Sequence, residues 1–127
     1  MFTVDKADTC KLLLVDDDEA TLSILTRNLE KLGCEIAVAD SSESGIEQLE
    51  HESYDAVFTA LCVRKNGGRS LARWIKSNAP QTRCYIVTSW KGELEPELLH
   101  LDGIHGVIHK PLIFNELKSV IDFLETK

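Results

Sequence analysis

The stretch Leu12-Leu13-Leu14-Val15-Asp16-Asp17-Asp18-Glu19 decides the fold of this chain. Four consecutive apolar residues are typical of a short strand that is buried on both faces. The strand stops at a cluster of carboxylates, which cannot be buried without partners. The acids are therefore predicted at the carboxyl end of a central strand, the edge at which open parallel sheets bind ligands. Hard oxygen donors that converge there suit Mg2+, although Asp18 and Glu19 can equally form the cap of the next helix.

Strand and helix patterns alternate five times along the chain. Apolar runs predict strands over residues 11–15, 34–39, 54–61, 83–87 and 106–109. Apolar residues at helical spacing predict helices over residues 19–32, 40–51, 69–78, 93–101 and 112–124. This alternation predicts an α/β fold, a three-layer sandwich in which right-handed crossovers place helices on both faces of a five-stranded parallel sheet. We expect one domain over residues 11–127, preceded by a loose polar leader over residues 1–10.

The composition of the chain restricts the classes of function. Its 127 residues, 43% hydrophobic and 28% charged, are typical of one globular domain. A net charge of −7 argues against direct nucleic-acid binding, which depends on neutralising phosphates. No apolar stretch is long enough to span a bilayer, and the start lacks a signal-peptide pattern, so we expect a cytoplasmic protein. The four cysteines, without a CxxC pair, indicate reduced thiols rather than a zinc site.

If all five strands are parallel, the residues just past their carboxyl ends share one rim. The rim then contains Asp16 and Asp17, residues 60–62, Thr88, and Lys110 followed by a proline. The two acids could hold a metal ion. The hydroxyl and the ammonium could both contact a phosphoryl oxygen.

At these positions the chain resembles the receiver domain of bacterial response regulators, and the resemblance covers nearly the whole sequence. In that family an acidic pair ends the first strand, a phosphoacceptor aspartate ends the third, a Thr or Ser ends the fourth, and Lys-Pro follows the fifth. The resemblance implies a flavodoxin-like sheet with strand order 2-1-3-4-5. It also implies that Asp16, Asp17 and the backbone carbonyl of Cys62 hold Mg2+, and that Thr88 and Lys110 contact the phosphoryl group.

The chain departs from the family pattern at the centre of the site. Ala60 stands at the phosphoacceptor position, and a methyl group cannot accept a phosphoryl group. Asp55 lies at the other end of the strand, and the side chain of Thr59 should point to the opposite face. Val107 replaces the usual Tyr or Phe, and Arg64 a common Pro. We therefore predict a receiver that is not phosphorylated at the usual site, acting as a signalling or protein-interaction module and not as an enzyme.

The loss of one acid has two expected consequences. Mg2+ should bind more weakly, because it is held mainly through carboxylates. Lys110 is predicted to pair directly with Asp16 or Asp17. By the resemblance, the partners are a sensor histidine kinase or an effector protein. A homodimer through residues 93–101, 106–109 and 112–124 is also possible, with Trp90 beside that face.

Three alternatives compete with this interpretation. Ala60 could be an engineered knockout of an ordinary phosphorylatable receiver. A haloacid-dehalogenase-like phosphatase would use Asp16 and Asp18 in a DxDx(T/V) motif, but Ala20 occupies its Thr/Val position and the chain is too short for a cap. A flavin-binding flavodoxin-like domain would need a first loop rich in hydroxyls and glycine, and carboxylates there would repel the flavin phosphate.

Overall fold

The computed structural model describes residues 10–60, 62–63, 66–90 and 102–125. The helix predicted over residues 93–101 and all but the last residue of the predicted leader lie outside these ranges. Within them the chain forms strands and helices in the predicted alternation.

Five parallel strands form the central sheet. They are β1 (Lys11–Val15), β2 (Glu35–Ala39), β3 (Ala56–Ala60), β6 (Arg83–Thr88) and β7 (Gly106–His109). Their order is β2-β1-β3-β6-β7, which is the predicted 2-1-3-4-5 when the five are counted along the chain. The prediction of a flavodoxin-like parallel sheet is confirmed.

Helices cover both faces of the sheet, as the four buried residues of β1 require. They are α1 (Glu19–Lys31), α2 (Ser42–His51), α3 (Gly68–Asn78) and α4 (Phe114–Glu125). Leu25 and Leu29 of α1 share one apolar cluster with Leu117 and Ile121 of α4. Leu71 and other apolar residues of α2 and α3 belong to a second cluster on the opposite face. No helix in the described ranges is long and apolar enough to cross a membrane.

Local signals set the ends of α1. Asp18 is its N-cap, as predicted. Gly33 follows its last turn with φ 86°, a conformation that favours glycine. Gly33 N–H donates to the Glu30 carbonyl at 3.0 Å, and Cys34 N–H donates to the Leu29 carbonyl at 3.1 Å. This pair of hydrogen bonds is a Schellman motif, so the chain enters β2 in a fixed direction.

One segment differs from the sequence prediction. The sequence pattern predicts neither a strand nor a helix between residues 61 and 69, but this segment contains the short strands β4 (Cys62–Val63) and β5 (Asn66–Gly67). These two strands pair antiparallel and lead directly into α3. A strand of two residues is too short to show a period of two, so the pattern could not reveal it.

One edge of the sheet is the outer side of β2. Val38 is exposed there, and its carbonyl oxygen accepts a hydrogen bond from Gln48 Nε2 of α2 at 2.8 Å. The amide side chain therefore occupies an acceptor that the sheet leaves unpaired.

A histidine joins the last two strands before their ladder begins. His105 Nδ1 accepts a hydrogen bond from Cys84 N–H at 3.0 Å, and His105 N–H donates to the Cys84 carbonyl at 2.7 Å. The ring nitrogen thus accepts the hydrogen bond from Cys84 N–H in place of a backbone carbonyl. The first backbone pair of the two strands is then Tyr85 with Gly106.

Candidate functional site

The strand register brings the predicted rim residues to one edge of the sheet. Val15 pairs with Thr59, so Asp16 follows beside Ala60. Ala60 pairs with Val87, so the end of β3 lies next to Thr88. Thr88 pairs with His109, and Lys110 comes directly after it. The rim was therefore predicted correctly from the order and direction of the strands.

The two acids of the rim lie in different environments. Asp16 is only 4% exposed, whereas Asp17 is exposed. Asp16 Oδ1 accepts a hydrogen bond from Asp18 N–H at 2.9 Å. Burial raises the pKa of Asp16 above its ordinary value, and this outweighs the opposing effects of that hydrogen bond and of the nearby Lys110 charge. Burial thus disfavours the ionised form of Asp16.

The centre of the rim carries no oxygen nucleophile from β3. Ala60 is half-buried, and its side chain is a methyl group. The neighbouring Thr59 is fully buried, and its hydroxyl is 3.3 Å from the Ala60 carbonyl oxygen, to which it donates. Asp55 precedes β3 and accepts a hydrogen bond from Lys11 N–H at 2.7 Å, at the opposite edge of the sheet.

Thr88 is held by its own loop. Its side chain is 7% exposed, and its hydroxyl accepts a hydrogen bond from Trp90 N–H at 3.0 Å. Lys110 N–H donates to the Thr88 carbonyl at 2.8 Å, which extends the ladder between β6 and β7 by one step. The Lys110–Pro111 peptide bond is cis. Trp90 itself is 55% exposed beside the rim.

The predicted ion pair of Lys110 with Asp16 or Asp17 was wrong. Lys110 Nζ instead donates to Thr21 Oγ1 at 2.8 Å, and Thr21 Oγ1 donates to Asp18 Oδ2 at 2.6 Å. Among the described residues, no ion pair joins this ammonium to a carboxylate. A hydroxyl between the two charges transmits their attraction without desolvating both ions, which a direct buried pair would require.

The bridge between Lys110 and Asp18 has a clear electrostatic result. Donation from the Thr21 hydroxyl is the main cause that lowers the pKa of Asp18, and the Lys110 charge acts in the same direction. Asp18 is therefore both the N-cap of α1 and the anionic end of this bridge.

Sequence reasoning missed Thr21, although the sequence contains a signal for it. Thr21, Leu25 and Leu29 are the buried residues of α1 and recur every four positions. A hydroxyl residue in an otherwise apolar stripe must find a polar partner when it is buried. The first position of the stripe lies beside the rim, so that partner could be sought among the rim charges.

The acids of the rim form an incomplete metal site. In the described ranges, no group of three or more His, Cys, Asp or Glu residues could hold a metal ion. Asp16 and Asp17 remain as two carboxylates, and one oxygen of Asp16 already accepts a backbone hydrogen bond. Cys62, whose carbonyl was predicted as a third donor, belongs to β4 and pairs with Gly67. Asp16 and Asp17 alone fit a Mg2+ ion that keeps several of its waters.

Sequence comparison connects the chain to one family. The model of the response regulator receiver domain matches residues 12–122. The chain is 28% identical over 116 residues to the transcriptional regulatory protein ZraR of Escherichia coli K12, matching 91% of this chain and 26% of that protein. It is 32% identical over 123 residues to the hybrid signal transduction histidine kinase L of Dictyostelium discoideum, matching 87% of this chain and 7% of that protein. The chain thus corresponds to a small part of each relative.

Solved structures share the fold. A response regulator receiver domain protein from Clostridium thermocellum superposes with a TM-score of 0.81 at 26% identity, covering 92% of this chain and 94% of that one. A CheY-like receiver domain from Methylobacillus flagellatus gives a TM-score of 0.82 at 20% identity, covering 91% and 98%.

The burial of Asp16 predicts a pH-dependent gain in stability for Asp16→Asn. Because the folded-state pKa lies above the ordinary value of 3.8, the ionised carboxylate disfavours the folded state at neutral pH. This penalty is absent below the ordinary pKa and grows as the pH rises through the folded-state pKa. We expect Asp16→Asn to raise the urea midpoint at pH 7, with a gain that shrinks as the pH falls towards 4.

Asp17→Asn, at an exposed position, is the control, and its urea midpoint should rise less. A lower midpoint for Asp16→Asn at pH 7 would contradict this account.

The bridge through Thr21 predicts that Thr21→Val is destabilising. Valine has nearly the same shape but lacks the hydroxyl that bonds both Lys110 Nζ and Asp18 Oδ2. We expect a loss of about 1 to 3 kcal/mol in the free energy of unfolding, measured by urea denaturation. The matched control is Thr26→Val on the same helix, because in the described part of the chain the Thr26 hydroxyl makes no hydrogen bond. Equal losses in the two variants would show that the bridge contributes nothing.

Proposed function

This chain belongs to the response regulator receiver domain family, and we propose that it is a signalling module that acts through protein contacts, without being phosphorylated at the usual position. Ala60 carries this proposal. It ends β3 beside Asp16 and next to Thr88, the place that the family pattern reserves for the phosphoacceptor aspartate. An acyl phosphate needs a carboxylate oxygen as the nucleophile, and a methyl group has no lone pair to donate.

The surroundings of Ala60 support this proposal. Thr59, the nearest hydroxyl on β3, is fully buried. The hydroxyl of Thr88 accepts from Trp90 N–H, and the ammonium of Lys110 is engaged by Thr21. The two groups expected to contact a phosphoryl oxygen therefore both have partners within the chain. Because β3 supplies no nucleophile, we propose that the domain binds a partner and does not act as an enzyme.

Mg2+ has a reduced role in this proposal. Asp16 and Asp17 would hold the ion, which would neutralise the two neighbouring carboxylates and favour the ionised form of the buried Asp16. Without a third carboxylate the affinity should be low, and Lys110 supplies a positive charge near Asp16 that also opposes the cation.

A sensor histidine kinase or an effector protein is the proposed partner, in keeping with the family. Support comes from exposed apolar side chains around the end of β7 and the start of α4. Trp90, Ile113 and Phe114 are 55%, 49% and 38% exposed. Large apolar side chains that stay in water are typical of surfaces that bind other proteins. A second copy of the chain could use the same face.

The experiment that tests the proposal is restoration of the acid. The chain is incubated with Mg2+ and either acetyl phosphate or beryllofluoride, and adducts are measured by intact mass and by fluorine NMR. We expect no adduct for the chain itself and a clear adduct for Ala60→Asp. Ala60→Asn is the control, because asparagine has nearly the same shape as aspartate but lacks the carboxylate nucleophile. An adduct on the unsubstituted chain would overturn the proposal, and turnover of a phosphate ester would point to an enzyme.

Weak metal binding can be measured separately through Trp90. Trp74→Phe leaves Trp90 as the only tryptophan, and Mg2+ is then titrated at constant ionic strength. We expect a fluorescence midpoint on the order of millimolar for two carboxylates, and a tighter midpoint when Ala60→Asp is added. Asp17→Asn in the Trp74→Phe background should abolish the response. A micromolar midpoint without the added aspartate would refute the weakened site.

A further inference from the structure

Two cysteines lie at matching positions on neighbouring segments, at the end of the sheet opposite the rim. Lys11 pairs with Glu35, so Cys10 and Cys34 occupy the preceding positions of the same two parallel strands. The Cys10 carbonyl accepts a hydrogen bond from Glu35 N–H at 2.8 Å, which shows that the two segments of the chain are already paired at this point. In-register residues of parallel strands project to the same face of a sheet.

The burial of the two thiols agrees with this placement. Cys10 is 4% exposed and Cys34 is 7% exposed, and both belong to the apolar cluster between the sheet, α1 and α4. Neither is in a disulfide. The backbone of Cys34 is fixed by the Schellman motif at the end of α1, where its N–H donates to the Leu29 carbonyl. The pair is therefore held in register by local structure on both sides.

The spacing of the strands suits a covalent bond between them. Neighbouring strands lie about 4.7–4.9 Å apart, within the range of roughly 4.4–6.8 Å between the Cα atoms of disulfide-bonded cysteines. The Cβ atoms must approach slightly from regular sheet geometry, and a disulfide formed under such strain is more easily reduced again. A pair with these properties is suited to reversible oxidation.

We propose that Cys10 and Cys34 form a redox modification site, a dithiol that hydrogen peroxide converts into a disulfide. Cys34 is 7% exposed and Cys10 only 4%, so the sulfur of Cys34 is the one that peroxide reaches first. Its sulfur attacks one peroxide oxygen, the O–O bond breaks, and the departing hydroxide takes up the thiol proton as water, leaving a sulfenic acid. The sulfur of Cys10 then attacks the sulfenic sulfur, the S–O bond breaks, and the proton of Cys10 leaves with that hydroxide as a second water. Two thiols lose two electrons, and one peroxide is reduced to two waters.

The disulfide would close a loop that contains the whole of α1. The cross-link would join the starts of β1 and β2, far along the strands from the acids of the rim. It would restrict the unfolded chain and so stabilise the fold, without supplying or removing a group at the rim. Oxidation is thus a modification of the scaffold and is independent of the proposed loss of phosphorylation.

The test uses the full chain treated with hydrogen peroxide, followed by denaturation, alkylation of remaining thiols and peptide mapping. We expect a Cys10–Cys34 cross-linked peptide with a mass lower by about 2 Da, the two hydrogens lost. We also expect Tm to rise by roughly 5–10 °C, and dithiothreitol to reverse the rise. Two alkylated cysteines at these positions after treatment would overturn the proposal, as would a cross-link to Cys62 or Cys84.

Single substitutions complete the test. Cys34→Ser should lose both the cross-link and the rise in Tm. Cys84→Ser is the matched control, because Cys84 is equally buried but belongs to the cluster on the opposite face of the sheet. This variant should keep both effects, and their loss in it would count against the pair. If Cys34→Ser fails to fold, the peptide map of the unsubstituted chain and the behaviour of Cys84→Ser still decide the question.

Discussion

The rest of this structure depends on a strand that is buried on both faces and ends in carboxylates. Leu12, Leu13, Leu14 and Val15 are fully buried, so helices must cover the sheet on both sides. Burial of each such side chain contributes about 2 kcal/mol, whereas an unpaired buried carboxylate is costly. The helices must therefore cover both faces of the sheet, and the acids must lie past the end of the strand. Asp16 is almost completely buried, and one backbone hydrogen bond offsets part of the cost of burying its carboxylate.

The bridge from Lys110 to Asp18 shows how the rim balances its charges without a carboxylate from β3. A neutral hydroxyl stands between the two ions, so Asp18 keeps its contact with water while Lys110 is oriented by a short hydrogen bond. The bridge joins the end of the last strand to the first turn of α1. Two elements that are distant in sequence are thus linked at the point where the family carries out its chemistry.

Much of this arrangement could be predicted from the sequence. The apolar runs predicted the strands, and apolar residues at helical spacing, such as Leu25 and Leu29, predicted the helices. The parallel direction of the strands then predicted that Asp16, Thr88 and Lys110 lie on one rim. The hydrogen-bond partner of Lys110 was harder to predict. The sequence shows which charges lie near one another, but the positions of the side-chain atoms decide which groups form a hydrogen bond. Thr21 was overlooked for this reason. His105 acts through one ring nitrogen on a backbone amide, a contact that leaves no mark on hydropathy.

The side-chain amide of Gln48 has a consequence for how the molecule behaves in a crowded solution. β2 is an edge strand with an exposed valine, and unpaired backbone groups beside exposed apolar surface invite a strand from another molecule to add to the sheet. Gln48 occupies the carbonyl of that same residue, Val38, from within the chain. A foreign strand would have to displace an intramolecular partner before it could pair there. The helix that follows β2 thereby occupies one of the backbone acceptors through which a strand could add to this edge.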